Sequence, residues 1–159
     1  MEETIIGVDP GQSGTIAAIR DGRVIALHDM PTMARLHGKG QQVDAAELSS
    51  IILDIIPPRR VLYLEAVAAM PGQGVSSTFR FGESVGVVLG VCGALQIPVR
   101  WITPAIWKRR AGLIGKEKDA SRTLAIQRHP EVADMLKMKK DNGRSDAICI
   151  AEFGSQFTE

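Results

Sequence analysis

Cysteine is nearly absent from these 159 residues, with only Cys92 and Cys149 present. They stand far apart in apolar helical surroundings, which fits core filling in a reducing cytosol rather than a disulfide framework or a zinc site. Aromatic residues make up 4% of the chain, too few for a large platform on which single strands would stack. No apolar run approaches the roughly 20 residues of a membrane span, and the acidic start Met1-Glu2-Glu3 does not read as a signal peptide. The three histidines neither cluster nor complete a Ser-His-Asp pattern. What is present is 45% hydrophobic and 23% charged, the composition of a globular chain, and its length suits one domain, residues 1–159.

Net charge is only +1, but it is unevenly placed. Residues 1–99 hold 7 Lys/Arg against 10 Asp/Glu, residues 100–144 hold 12 against 5, and residues 145–159 hold none against 3. Positive charge concentrated in one third of the chain is what a docking polyanion requires, and equally what a set of solvated helix faces produces.

The stretch Ile5-Ile6-Gly7-Val8-Asp9-Pro10-Gly11 is an apolar strand that delivers a carboxylate to its end, followed by a turn. Residues 14–20 and 23–30 are two further strands joined by Asp21-Gly22, a strong hairpin signal, so the start reads as an antiparallel meander. Residues 31–42 read as a polar loop carrying Arg35, His37 and Lys39. Asp44 opens a helix with Glu47 placed as in a capping box, and Pro57-Pro58 stops it. Val61-Leu62-Tyr63-Leu64-Glu65 is then a central strand, again ending in an acid. After a Gly-rich loop at 71–74, Ser76 or Ser77 is expected to cap a helix to about Gly93. Gly82, Gly86 and Gly90 share one face of it, for close approach to the sheet or for a twofold contact between subunits. Residues 99–102 form a fifth strand, and Pro104 opens a short helix with Trp107, Lys108, Arg109 and Arg110, its cations candidates for phosphate contact. A helix follows to His129, then a basic connector at 135–140, and a buried final helix with Asp146 in its first turn.

A helix between strands one and four allows them to lie parallel and adjacent, bringing Asp9 and Glu65 to one sheet end. The final helix can set Asp146 above them. Clustered carboxylates stay ionised only with a cation between them, and hard oxygen donors suit Mg²⁺ or Mn²⁺. Two such ions roughly 3.5–4 Å apart serve in-line phosphodiester displacement.

The chain resembles RuvC-type Holliday junction resolvases of the short phage and bacterial form, within the ribonuclease H-like superfamily. The matching stretches are Ile6-Gly7-Val8-Asp9-Pro10-Gly11, Leu64-Glu65, residues 71–82, Thr103-Pro104 with Trp107-Lys108, and Gly143-Arg144-Ser145-Asp146-Ala147. The resemblance implies an α/β ribonuclease H-like fold, with a five-stranded mixed sheet of three antiparallel then two parallel strands, flanked by helices. It further implies a Mg²⁺-dependent endonuclease (Mn²⁺ able to substitute), a homodimer nicking four-way or branched DNA symmetrically, in the cytoplasm of a bacterial or phage-infected cell. Asp9, Glu65 and Asp146 match the metal ligands. The position of the fourth is Gly143, so Asp141 is the expected substitute and Asn142 the alternative. Expected DNA contacts are Lys108 and Lys118 near the cleaved phosphate, with Lys116, Arg109, Arg110, Arg80, Lys140 and Arg144 around them, and Gln73 or Phe79 at the junction. A general or flap-type nuclease of the same fold, or an inactive junction-binding module, are the alternatives. A sugar-kinase or actin-like ATPase shares the opening pattern but needs a second domain.

Overall fold

In a computed structural model the chain is described for residues 3–55 and 59–156. Strands β1 (Glu3–Asp9), β2 (Thr15–Arg20) and β3 (Arg23–Asp29) pair antiparallel as a meander. Asp21 and Gly22 make its second turn with φ of 52° and 72°, the positive angles that a two-residue type I′ hairpin requires. Strand β6 (Arg59–Glu65) lies parallel to β1, and β7 (Val99–Ile102) parallel to β6, giving a five-stranded sheet ordered β3-β2-β1-β6-β7. This is the mixed sheet expected from the sequence. Between β3 and β6 lie β4 (Thr32–Ala34), β5 (Gln41–Val43) and helix α1 (Ala45–Asp54). Helix α2 (Val75–Ala94) precedes β7; α3 (Pro104–Arg110), α4 (Ala120–Arg128), a 3-10 segment (Pro130–Leu136) and α5 (Asn142–Gly154) complete the order.

Alternation along the strands sorts the core into two layers. Ile6, Val8, Leu62 and Leu64 point to one face, against Leu48 and Ile52 of α1 and Val88 and Cys92 of α2. Ile5, Ala17, Val61 and Tyr63 point to the other, against α5, with Ala125 of α4 and Trp107 of α3 beside it. Each fully buried Ile or Leu here contributes about 1.5–3 kcal/mol by leaving water. Both cysteines are buried and free. Gly7 sets how closely α5 sits: a Cβ there would lie 2.3 Å from the Ala147 carbonyl oxygen and 2.5 Å from the Ala151 nitrogen. The helix therefore rests on bare backbone at that point.

Several expectations need correction. The segment read as a polar loop contains a short antiparallel hairpin, β4–β5, tied to α2 by a two-pronged Arg35–Glu83 pair at 2.8 Å. Gly74, not Ser76 or Ser77, is the N-cap of α2, and it makes no side-chain cap. The Gly82, Gly86 and Gly90 stripe does not approach the sheet, since a Cβ at any of them would meet nothing within 4 Å. Ser84, Val88, Val91 and Cys92 form the packed face of α2 instead. Asp146 is in the second turn of α5, because that helix begins at Asn142. Asp44 does cap α1, accepting from Ala46 N and Glu47 N; the expected stop at Pro57-Pro58 lies outside the described residues.

Candidate active site

Asp9 and Glu65 are the last residues of adjacent parallel strands, with Val8 paired to Leu64 just before them. By alternation each shares its face with Gly7 and Tyr63, the face that α5 covers. Because Ala147 rests on Gly7, the preceding residue Asp146 stands over the strand ends. The three carboxylates share one electrostatic neighbourhood. Burial and then the charges of Glu65 and Asp146 push Asp9 up to about 7. Burial also raises Glu65, helped by Asp146 and opposed by an indole hydrogen bond and Lys108. Burial likewise raises Asp146, opposed by Ser121, Lys108 and Lys118. Ser121 Oγ is buried and close to Asp146, although it makes no hydrogen bond of ordinary geometry. Among the described residues, no three His, Cys, Asp or Glu side chains are drawn tightly enough to grip an ion as they stand. Their charges nonetheless act on one another.

Lysines face this cluster from one side. A cavity of about 410 Å³ is lined by Trp107, Lys108, Lys116, Lys118, Ser121 and Asp146, among others. Trp107 is 1% exposed, and its Nε1–H donates to Glu65 Oε1 at 2.8 Å. The Lys108 ammonium lies 5.3 Å from the centre of the Trp107 ring, a cation–π distance that holds the charge at the cavity wall. Sequence reasoning named Trp107 beside the cations of its helix and missed its contact with the acid. The available signal was general: a buried indole N–H needs an acceptor.

Other expected site residues go elsewhere. Asp141 is not brought to the three acids. Its Oδ2 accepts from Met138 N at 2.9 Å and its Oδ1 lies 3.7 Å from Arg144. Arg144 is itself spent on Asp29, with two bonds of 2.8 Å that hold the Asp29 carboxyl below its usual range. Arg110 caps α5, donating to Phe153 O at 2.8 Å and Gly154 O at 3.2 Å. Lys140 lines a separate cavity of about 310 Å³ with Asp29, Asp141 and Arg144. Arg109 is exposed on α3, and Gln73, Phe79 and Arg80 are exposed at the start of α2 and the loop before it. Asn142 Oδ1 is buried with no hydrogen-bond partner, four residues before Asp146 and therefore on its helix face.

Two adjacent parallel strands ending in acids, an antiparallel meander beside them and a helix bearing a third acid across the sheet define the ribonuclease H-like fold. The comparisons point to RuvC within it. Thermus thermophilus RuvC in complex with a Holliday junction substrate superposes with a TM-score of 0.55 at 15% identity. A second structure of Thermus thermophilus RuvC gives 0.56 at 16%, and both matches cover 93% of this chain and 90% of theirs. In sequence, the chain is 34% identical over 114 residues to the chloroplastic Holliday junction resolvase MOC1 of Chlamydomonas reinhardtii. That alignment takes in 67% of this chain but only 13% of the relative's length. No protein-family profile matches. The RuvC-type resemblance read from the sequence is thus borne out in fold and in matched sequence. The expected bacterial or phage-infected cytoplasm is not, because this relative is chloroplastic.

Proposed function

We propose that the chain is a divalent-metal-dependent endonuclease that cuts branched DNA, four-way junctions above all, and nicks the two strands symmetrically as a homodimer. The observation that carries this reading is the meeting of Asp9, Glu65 and Asp146 at one sheet end beside a lysine-lined cavity. Acids alone would repel phosphate, and lysines alone would need no acids. The MOC1 relative and the junction-bound RuvC structure support the choice of substrate.

The donor set fits Mg²⁺, with Mn²⁺ able to substitute. It offers hard carboxylate oxygens whose mutual repulsion a cation would remove. Asp9, Glu65 and Asp146 would hold it, and the orphaned Asn142 Oδ1 would complete the set in place of Asp141. Bound there, such ions activate water and neutralise charge on the leaving oxygen of a phosphodiester. The chain's own residues do the rest. Trp107 fixes one oxygen of Glu65, leaving the other to turn toward the cluster. Lys108 and Lys118 offset the acids' charge and draw the scissile phosphate toward them. Burial excludes bulk water, which strengthens both effects. The exposed Gly82, Gly86 and Gly90 stripe supports pairing of two copies through α2.

The test is cleavage of a synthetic four-way junction with and without Mg²⁺. Wild type is expected to cut only with metal, and Asp9→Asn to bind without cutting. Cleavage by Asp9→Asn at the wild-type rate would remove the metal role. Equal cutting of linear duplex, flaps and junctions would replace the junction reading with a general nuclease.

A further inference from the structure

A further cavity, of about 520 Å³, begins at Pro10, the residue after Asp9. One wall is the β1–β2 turn; the other is the first half of α2, with Arg80, Phe81 and the hydroxyl-bearing Ser77 and Ser84. We propose that this cavity is a base pocket, which receives one unstacked nucleobase of the strand running through the acid cluster and prefers guanine. The proposal rests on the nuclease reading above and names a specificity site for it.

Three features favour a base over a second phosphate. Phe81 is half-buried, and its ring edge lies beside the turn, where a Cβ added to Gly11 would stand 3.5 Å from it. An aromatic face in a cavity suits the π-face of a base and offers nothing to a phosphate. Arg80 differs from the arginines already spent on the fold. Among the described residues its guanidinium makes one hydrogen bond, 3.3 Å to Lys39 O in the β4–β5 hairpin. That contact positions the fork and leaves other N–H groups to pair with guanine O6 and N7. Ser84, which also lines the cavity, donates its Oγ–H to Arg80 O at 3.0 Å and keeps its lone pairs as acceptors.

The experiment uses junctions with identical arms, in which each base flanking the cleaved phosphate is varied in turn through all four. Cleavage rates are measured for wild type, Arg80→Ala, Arg80→Lys and Phe81→Leu, with melting curves to confirm that each variant is folded. Wild type should cut fastest with guanine at one position, by about tenfold or more over the worst base. Arg80→Ala should bring the four rates together by losing rate on guanine alone, and Arg80→Lys should restore little of the preference. A uniform loss across bases would make Arg80 a phosphate contact and overturn the proposal. So would a wild-type enzyme with no base preference, or a preference that Arg80→Ala leaves intact. The same panel, titrated for affinity with Asp9→Asn, separates the two readings. A guanine preference in binding, with no DNA cut by wild type, would keep the pocket and sink the nuclease. Junction cleavage indifferent to every flanking base would do the reverse.

Discussion

Gly7→Ala is the substitution that couples fold to chemistry most directly. The added methyl would lie 2.3 Å from Ala147 O, 2.5 Å from Ala151 N and 3.0 Å from Ala151 Cα. Ordinary carbon–oxygen contacts are about 3.3 Å or more, so α5 must retreat by roughly 1 Å. The opposing atoms are helix backbone and cannot rotate away, which places the cost near the upper end of the about 1–3 kcal/mol typical of overpacking. At roughly 2–4 °C per kcal/mol for a domain of this size, melting should fall by about 6–12 °C. The same retreat carries Asp146 away from Asp9 and Glu65. A misplacement of about 1 Å at a reacting centre costs about 100-fold in rate. The assay is therefore double: thermal melting, and junction cleavage at a temperature where the variant is fully folded. Gly93→Ala is the control, because a Cβ there meets nothing within 4 Å. It should melt no lower than wild type. A Gly7→Ala protein that melts and cuts like wild type would refute the seating of α5 on this residue. One that melts lower yet cuts at the wild-type rate would break the link between that seat and the acid cluster.

Two further outcomes follow from the site's electrostatics. Asp9 in the fold is held at about 7 against an ordinary 3.8, so the folded chain is favoured below pH ~4 and that advantage is lost as pH rises through about 7. Without divalent metal, Asp9→Asn should therefore melt above wild type at pH ~8, by about 4 °C or more, and the gap should close toward pH ~4. Added Mg²⁺ should raise wild type only; a variant melting below wild type at pH ~8 would contradict the repulsion. Trp107→Phe keeps the ring but removes the hydrogen bond that lowers Glu65. The acidic limb of the pH–rate profile should move to higher pH, and melting should fall by about 1–3 kcal/mol equivalent. An unmoved profile would reduce Trp107 to packing.

The acids at the strand ends were legible because two independent signals agreed. A continuous apolar run fixed each strand, and the carboxylate that ended it had no place in a core. Asp146 was legible for position but not for register, since helix starts are set by local caps that several residues here could supply. Asp141 misled because a short carboxylate beside a backbone N–H satisfies itself locally, and Met138 N supplies that donor. The β4–β5 hairpin left no trace because three-residue strands are too short to show alternation. Four-residue spacing put Gly82, Gly86 and Gly90 on one face of a helix. Only the packing of Ser84, Val88 and Val91 decided that this face looks outward.

The basic stretch at 100–144 shows why charge density alone could not name the DNA contacts. Its arginines largely build the fold. Arg122 grips Asp119 with two bonds of 2.8 and 2.6 Å and reaches Leu136 O at 3.0 Å. Arg128 pairs with Glu152, Arg144 with Asp29, and Arg110 closes the end of α5. A planar fork with fixed donors suits such multi-point clamps, whereas an ammonium on a flexible stem serves better as a mobile point charge for phosphate. Lys108, Lys116 and Lys118 follow that division, all lining the cavity that holds Asp146, while Lys137 pairs with Asp134 at 2.7 Å. Counting cations by type would thus have separated scaffold from site better than counting them by sign.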